Sequence, residues 1–134
     1  MSKNVLIIST SPRKGSNSDL LANEFLRGAQ EAGHKVEKIT LRDKQIGFCQ
    51  GCLACLNTGR CAIADDANAI VQKMLVADVI VFATPIYYYE MCGQMKRLDA
   101  QLLPDYRFQD ITGYEEDDST MDGDINVCKM DCLL

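Results

Sequence analysis

A chain of 134 residues, 47% hydrophobic and 25% charged, is long enough to bury the core of one domain. Its net charge of −5 is uneven: residues 1–104 carry 10 acidic and 12 basic side chains, and residues 105–134 carry 9 and 2. This excludes a nucleic-acid-binding surface. The absence of any apolar run of membrane length, or of a signal-peptide core, predicts a cytoplasmic protein with reduced thiols.

The first predicted element is a strand over Asn4–Ser9, NVLIIS, whose nearly continuous β-branched run suits a strand buried on both faces of a parallel sheet. A polar loop, TSPRKGSNS, leads into a helix marked by Leu21, Phe25, Ala29 and Ala32, with Ala22 and Leu26 beside them. Ser16, Asn17 or Ser18 can cap this helix and Gly33 can end it. Val36–Leu41 reads as an edge strand. A cysteine-rich stretch follows, FCQGCLACLNTGRC, and then Asp65 and Asp66 open a helix with Ala67, Ile70, Val71, Met74 and Leu75 on one face. Val79–Ala83 is a second fully buried strand. Met91, Met95, Leu98 and Leu102 mark a third helix.

This β-α-β-α-β-α alternation predicts an α/β fold with a parallel sheet between helical layers. Ligands of such sheets bind beyond the carboxyl ends of the strands. Two loops leave the two most buried strands there. The first, STSPRKGSNS, offers five hydroxyls, an Arg and a Lys at a helix N-terminus, a setting that favours an anion such as phosphate. It contains neither GxxxxGK[ST] nor GxGxxG. The second, TPIYYYEMCG, carries Tyr87, Tyr88 and Tyr89, which can flank a planar ring. Together they suggest a mononucleotide with a large aromatic ring. The bland alternatives are a well-capped helix start and tyrosines that cover surface.

SxSPRxxSxS after the first strand, CxxCxxCxxTGxCxxxDD after the second, and TPxYYY before a helix carrying Lys96 resemble the flavodoxin-like NAD(P)H-dependent FMN reductases. Within them they resemble most the iron–sulfur flavoprotein branch, over residues 3–104. The resemblance implies a parallel sheet in the order 2-1-3-4-5, bound FMN, NAD(P)H as donor, and a homo-oligomer. It implies that Ser9, Ser11, Arg13, Ser16, Asn17 and Ser18 hold the FMN phosphate. Pro85, Ile86, Tyr87 and Tyr88 would lie along the isoalloxazine ring, with Tyr89 and Glu90 at its edge. Where the family commonly carries Asp-Arg in the third helix, this chain has Ala100 and Gln101, so this helix is expected to dock or pair differently. Residues 1–134 are expected to form a single flavodoxin-like domain with sheet order 2-1-3-4. Residues 105–134 form its degenerate acidic segment, holding the start of a fourth strand at Tyr106–Thr112 and a helix over Ser119–Leu134. A fifth strand and last helix are expected to be missing, which leaves a sheet edge for oligomerisation to cover.

Cys49, Cys52, Cys55 and Cys61 resemble the compact ligand set of a 4Fe–4S cluster, and Thr58-Gly59 would turn Cys61 back toward the others. A loop that keeps its cysteines without metal, or a tetrahedral zinc site, are the alternatives. Cys92, Cys128 and Cys132 read as core residues, and His34 as a surface residue away from both loops. The function expected is an FMN-dependent oxidoreductase or electron carrier, with or without the cluster. The rival readings are a catalytically inactive flavodoxin-like domain and a four-cysteine metal-binding module.

Overall fold

The computed structural model describes residues 1–102. The fourth strand and terminal helix expected beyond Pro104, with Cys128 and Cys132, lie outside the described residues, as does the Leu102 side chain. Ten elements follow in chain order: strand β1 (Asn4–Ser9), helix α1 (Asn17–Glu31), strand β2 (Lys35–Thr40), a 3-10 turn at Leu41–Asp43, short helix α2 (Cys55–Thr58), helix α3 (Ala67–Val76), strand β3 (Val79–Ala83), two-residue strands β4 (Ile86–Tyr87) and β5 (Glu90–Met91), and helix α4 (Gly93–Leu102).

β1 is central and pairs in parallel with β2 on one side and β3 on the other, so the order β2-β1-β3 holds among the described residues. Because side chains alternate across a strand, β1 feeds two cores. Leu6 and Ile8 join Ile39, Ile70, Met74 and Leu98 on the α3 and α4 side. Val5 and Ile7 join Ala22 and Val81 on the α1 side. Ile7 and Ile8 are completely buried, as the apolar run in their strand predicts.

Three expectations need correction. The buried stripe of α1 runs through Ser18 and Ala22, with Phe25 and Leu26 at its edge, while Leu21 and Ala32 face outward. Small side chains bring the helix close to the sheet, and the larger Leu21 is displaced from the contact. In β3 only Val81 and Ala83 are buried, since no described strand pairs with its outer edge. α4 begins at Gly93, not at Met91, because residues 86–91 fold into an antiparallel hairpin first. The helix-ending role of Gly33 holds: it adopts φ +82, where glycine carries no steric cost, and its N–H and that of His34 return to Gln30 and Ala29 carbonyls.

Candidate functional site

The loops after β1 and β3 leave the same end of the sheet and are fastened to each other. Thr10 N–H donates to the Ala83 carbonyl at 2.9 Å. Cys92, just before α4, is 1% exposed and lies between the two loops. Its sulfur is 3.1 Å from Thr10 Oγ1 and 3.4 Å from Thr84 Oγ1, while its N–H donates to Thr84 Oγ1 at 3.2 Å. Thr10 and Thr84 are both buried, so this polar knot fixes the spacing of the loops. The expectation that Cys92 is a core residue is met, although it precedes the helix.

In the first loop, Ser16 is the N-cap of α1 and its Oγ accepts from Asp19 N–H at 3.3 Å. Ser18 Oγ lies 3.3 Å from Ser16 Oγ. Ser11 Oγ accepts from Arg13 N–H and donates to Arg13 O, which shapes the bend before the helix. Gly15 sits at φ +63 with open space where a side chain would begin. Asn17 and Ser18, in the first helical turn, have no intrahelical acceptor for their N–H groups. In this candidate cradle hydroxyls, first-turn amides, Arg13 and Lys14 thus lie close in sequence around the helix start. Ser9 differs from the rest: it is 1% exposed and its hydroxyl donates to Asp19 Oδ1 at 2.9 Å. Asp19 also receives Lys38 Nζ at 2.6 Å. That Lys38 hydrogen bond, with those from Ser9 and the charges of Lys38 and Arg42, holds the Asp19 carboxyl below the usual range against the opposing effect of burial.

The second loop is the β4–β5 hairpin. Tyr88 and Tyr89 occupy its two turn positions at φ +55 and +63, and their rings meet edge to face at 6.3 Å. They are 97% and 99% exposed, and Ile86 and Tyr87 are also exposed. Two bulky residues in left-handed backbone conformations are strained. Glu90 accepts from Met91 N–H and pairs with Lys96 of α4, which keeps its carboxyl low.

The cysteine loop is closed at its neck. Asp66 N–H donates to Gln45 O at 3.0 Å and Gln45 N–H to Asp66 Oδ2 at 2.7 Å. Asp65 accepts from Gly47 N–H at 2.7 Å, Ala67 N–H at 2.9 Å and Gln101 Nε2 at 3.1 Å. Burial would raise the Asp65 carboxyl, but these bonds and the charge of Arg97 outweigh it and hold it low. Gln101 also donates to Gly47 O, so α4 does dock on this neck. Gly59 at φ +66 ends α2 and turns the chain back, as Thr58-Gly59 suggested, and Asn68 fixes Cys61 through its N–H and carbonyl.

Cys49 and Cys52 are exposed, and Cys55 and Cys61 half-buried, so none of the four is spent on the core. Gly51 N–H points at the Cys49 sulfur at 3.5 Å, the kind of donor that supports a thiolate. The donor set suits a soft metal or cluster, yet among the described residues no three His, Cys, Asp or Glu side chains stand gathered as metal ligands. His34 is half-buried and its Nδ1 accepts from Lys3 N–H, at the opposite end of β1 from the loops. Sequence reasoning gave no place in the site to Asp19, Lys38 or Thr84, counted Thr10 only among the loop hydroxyls, and read Asp65 and Gln101 only as a helix opener and a docking difference. Asp19 had a local signal, the Ser16-x-x-Asp19 spacing of a capping box.

Residues 3–102 match the NADPH-dependent FMN reductase family. The chain belongs to that family. An iron-sulfur flavoprotein of Methanocaldococcus jannaschii is 40% identical over 94 residues, covering 70% of this chain and 49% of that protein. A solved flavone reductase superposes with TM-score 0.62 at 31% identity, over 82% of this chain and 33% of that one. The NAD(P)H:quinone oxidoreductase from Methanothermobacter marburgensis gives TM-score 0.64 at 20% identity, over 76% and 54% of the two chains, which speaks for the flavodoxin-like fold alone. The chain spans about half the length of the curated relatives it matches. Among the described residues no helix is long and apolar enough to cross a membrane.

Proposed function

We propose that this chain binds FMN at the β1 and β3 loops and serves as an NAD(P)H-dependent oxidoreductase or electron carrier. The observation that carries this reading is the fastening of a hydroxyl-rich helix start to an exposed tyrosine hairpin at one end of the sheet. Ser11, Arg13, Ser16, Asn17 and Ser18 hold the phosphate through hydroxyls, amides and charge. Ser9 supports the cradle from beneath through Asp19. Pro85, Ile86, Tyr87 and Tyr88 flank the ring, with Tyr89 and Glu90 at its edge. FMN held there would supply hydride or single-electron acceptance; the protein's part is to hold its phosphate, orient the ring and keep one face open to a donor. Flavin fluorescence during titration with FMN tests the reading. Replacing Ser11 and Ser16 together by Ala is expected to weaken binding by about 2 kcal/mol or more, since each loses a hydrogen bond to a charged group. Unchanged affinity would overturn the phosphate assignment.

A second reading adds a 4Fe–4S cluster on Cys49, Cys52, Cys55 and Cys61. Four thiols kept off the core on one neck-closed loop, with an amide directed at Cys49, support it. Replacing Cys52 by Ser and reconstituting without oxygen is expected to abolish iron and sulfide uptake while FMN titration is unchanged. Equal iron in both proteins, or none in either, would count against it. The exposed hairpin favours a homo-oligomer, which sedimentation of the full chain measures.

A further inference from the structure

Below the first turn of α1 lies a charge network of which those assignments use only the Ser9–Asp19 bond. Lys38, on β2, donates to Asp19 Oδ1 and to Asn23 Oδ1, each at 2.6 Å. Ser9, at the end of β1, donates to the same Asp19 oxygen at 2.9 Å. The Lys38 and Asp19 side chains keep only 15% and 16% exposure. A pair so withdrawn from water interacts more strongly than a surface pair, and losing one partner leaves the other stranded.

The position of Asp19 makes this pair matter. It lies in the first turn of α1, and its own N–H is capped by Ser16. A carboxylate there and a phosphate at the same helix start compete for one dipole and repel each other. A site that takes a dianion needs that carboxylate cancelled. Lys38 does so by direct contact. Arg42, in the turn after β2, adds a second cation whose charge also reaches Asp19. Among the described residues its Nε and Nη1 have no hydrogen-bond acceptor, and its Nε pairs with the Asp43 carboxylate at 3.6 Å. Asp19 is thus offset by Lys38, and Arg42 by Asp43, so no net negative charge is left beneath the cradle.

We propose that Lys38 is a positioning residue for phosphate recognition. By neutralising Asp19 and bonding Asn23 one turn further along, Lys38 keeps the first turn of α1 free of net negative charge and its amides set for a dianionic phosphate. The proposal rests on the reading that the chain binds FMN, and it accounts for how an acidic residue is tolerated inside that cradle.

FMN and riboflavin, which share the ring and differ in the phosphate, separate this role from general support of the fold. Lys38→Met is expected to weaken FMN binding about tenfold or more and riboflavin binding by less than about twofold, because what is lost is charge and order at the phosphate. Lys38→Arg, which restores the cation, is expected to recover FMN binding. Asp19→Asn combined with Lys38→Met is expected to recover most of the loss, since no uncompensated carboxylate remains. Should Lys38→Met fail to fold, Lys38→Gln and the double variant are read in its place. Equal loss of both ligands, or no loss of FMN, would overturn the role assigned to Lys38. Wild-type protein that binds neither flavin would instead overturn the FMN reading itself, and this role with it.

Discussion

Tyr88 and Tyr89 put full aromatic side chains where a tight hairpin turn asks for Asn and Gly, and hold them almost wholly in solvent. Strain of this kind costs about 1–2 kcal/mol per residue and persists where function requires the side chain. Tyr88→Asn with Tyr89→Gly is therefore expected to raise stability by about 1–2 kcal/mol in urea titration while weakening FMN binding. The gain is less than the summed strain because Asn keeps part of that cost and Gly adds backbone entropy. Unchanged stability would mean that the turn is not strained. Asp19 gives a pH test at the same scale. Its folded pKa is lowered by Lys38 and Ser9, so its contribution is complete above the unfolded value of about 4 and is lost as pH falls through the lower folded value. The stability gap between wild type and Asp19→Asn is thus expected to be constant from neutral pH down to about 4–5 and to change only below that. A gap that already varies near pH 6 would refute the linkage.

Among the elements, α4 couples the two halves of the site. Cys92 before its first turn joins the loops after β1 and β3, and Gln101 near its end joins the neck of the cysteine loop. Leu98, fully buried between them, anchors the helix on the core with Ile8 and Met74. Leu98→Ala is expected to cost about 2–5 kcal/mol, whereas Leu56→Ala, on exposed α2, should stay within about 0.5 kcal/mol. Similar urea midpoints for the two variants would show that α4 is not docked as described. The elements themselves were legible because periodicity is a local property: the apolar run at 5–8, the cap at Ser16 and the Ile70–Met74 stripe each announce themselves within a few residues. The hairpin was not legible, since three consecutive tyrosines carry no turn signal and their left-handed angles defy it. Nor were the contacts that organise the site. Lys38 meets Asp19 across 19 positions, Gln101 meets Gly47 across 54 and Cys92 meets Thr10 across 82, and no spacing rule links such pairs. Gln101 shows the gain from seeing the contact: as a departure from the family pattern it signalled different docking, while its amide proves to brace the neck.

At the scale of the molecule, the described fold divides into a packed body and an appendage. The body is β1 with its two partner strands and the helices on either face. The appendage is the stretch 48–64, which lends no fully buried side chain to either core. Its ends at Gln45–Gly47 and Asp65–Asp66 are clasped by hydrogen bonds that belong to the body. Apart from the bonds of Asn68 to Cys61 and Ile63, hydrogen bonds hold the stretch by this clasp, and that makes it a candidate for excision. Replacing residues 49–62 by a short Gly-Ser bridge is expected to preserve the circular dichroism spectrum and FMN affinity, because closure entropy changes little with loop length and the clasp stays in place. Loss of the fold in that variant would show that the stretch is structural after all. If the fold survives, one excision or insertion between two clasped ends adds or removes thiol chemistry without redesigning the body.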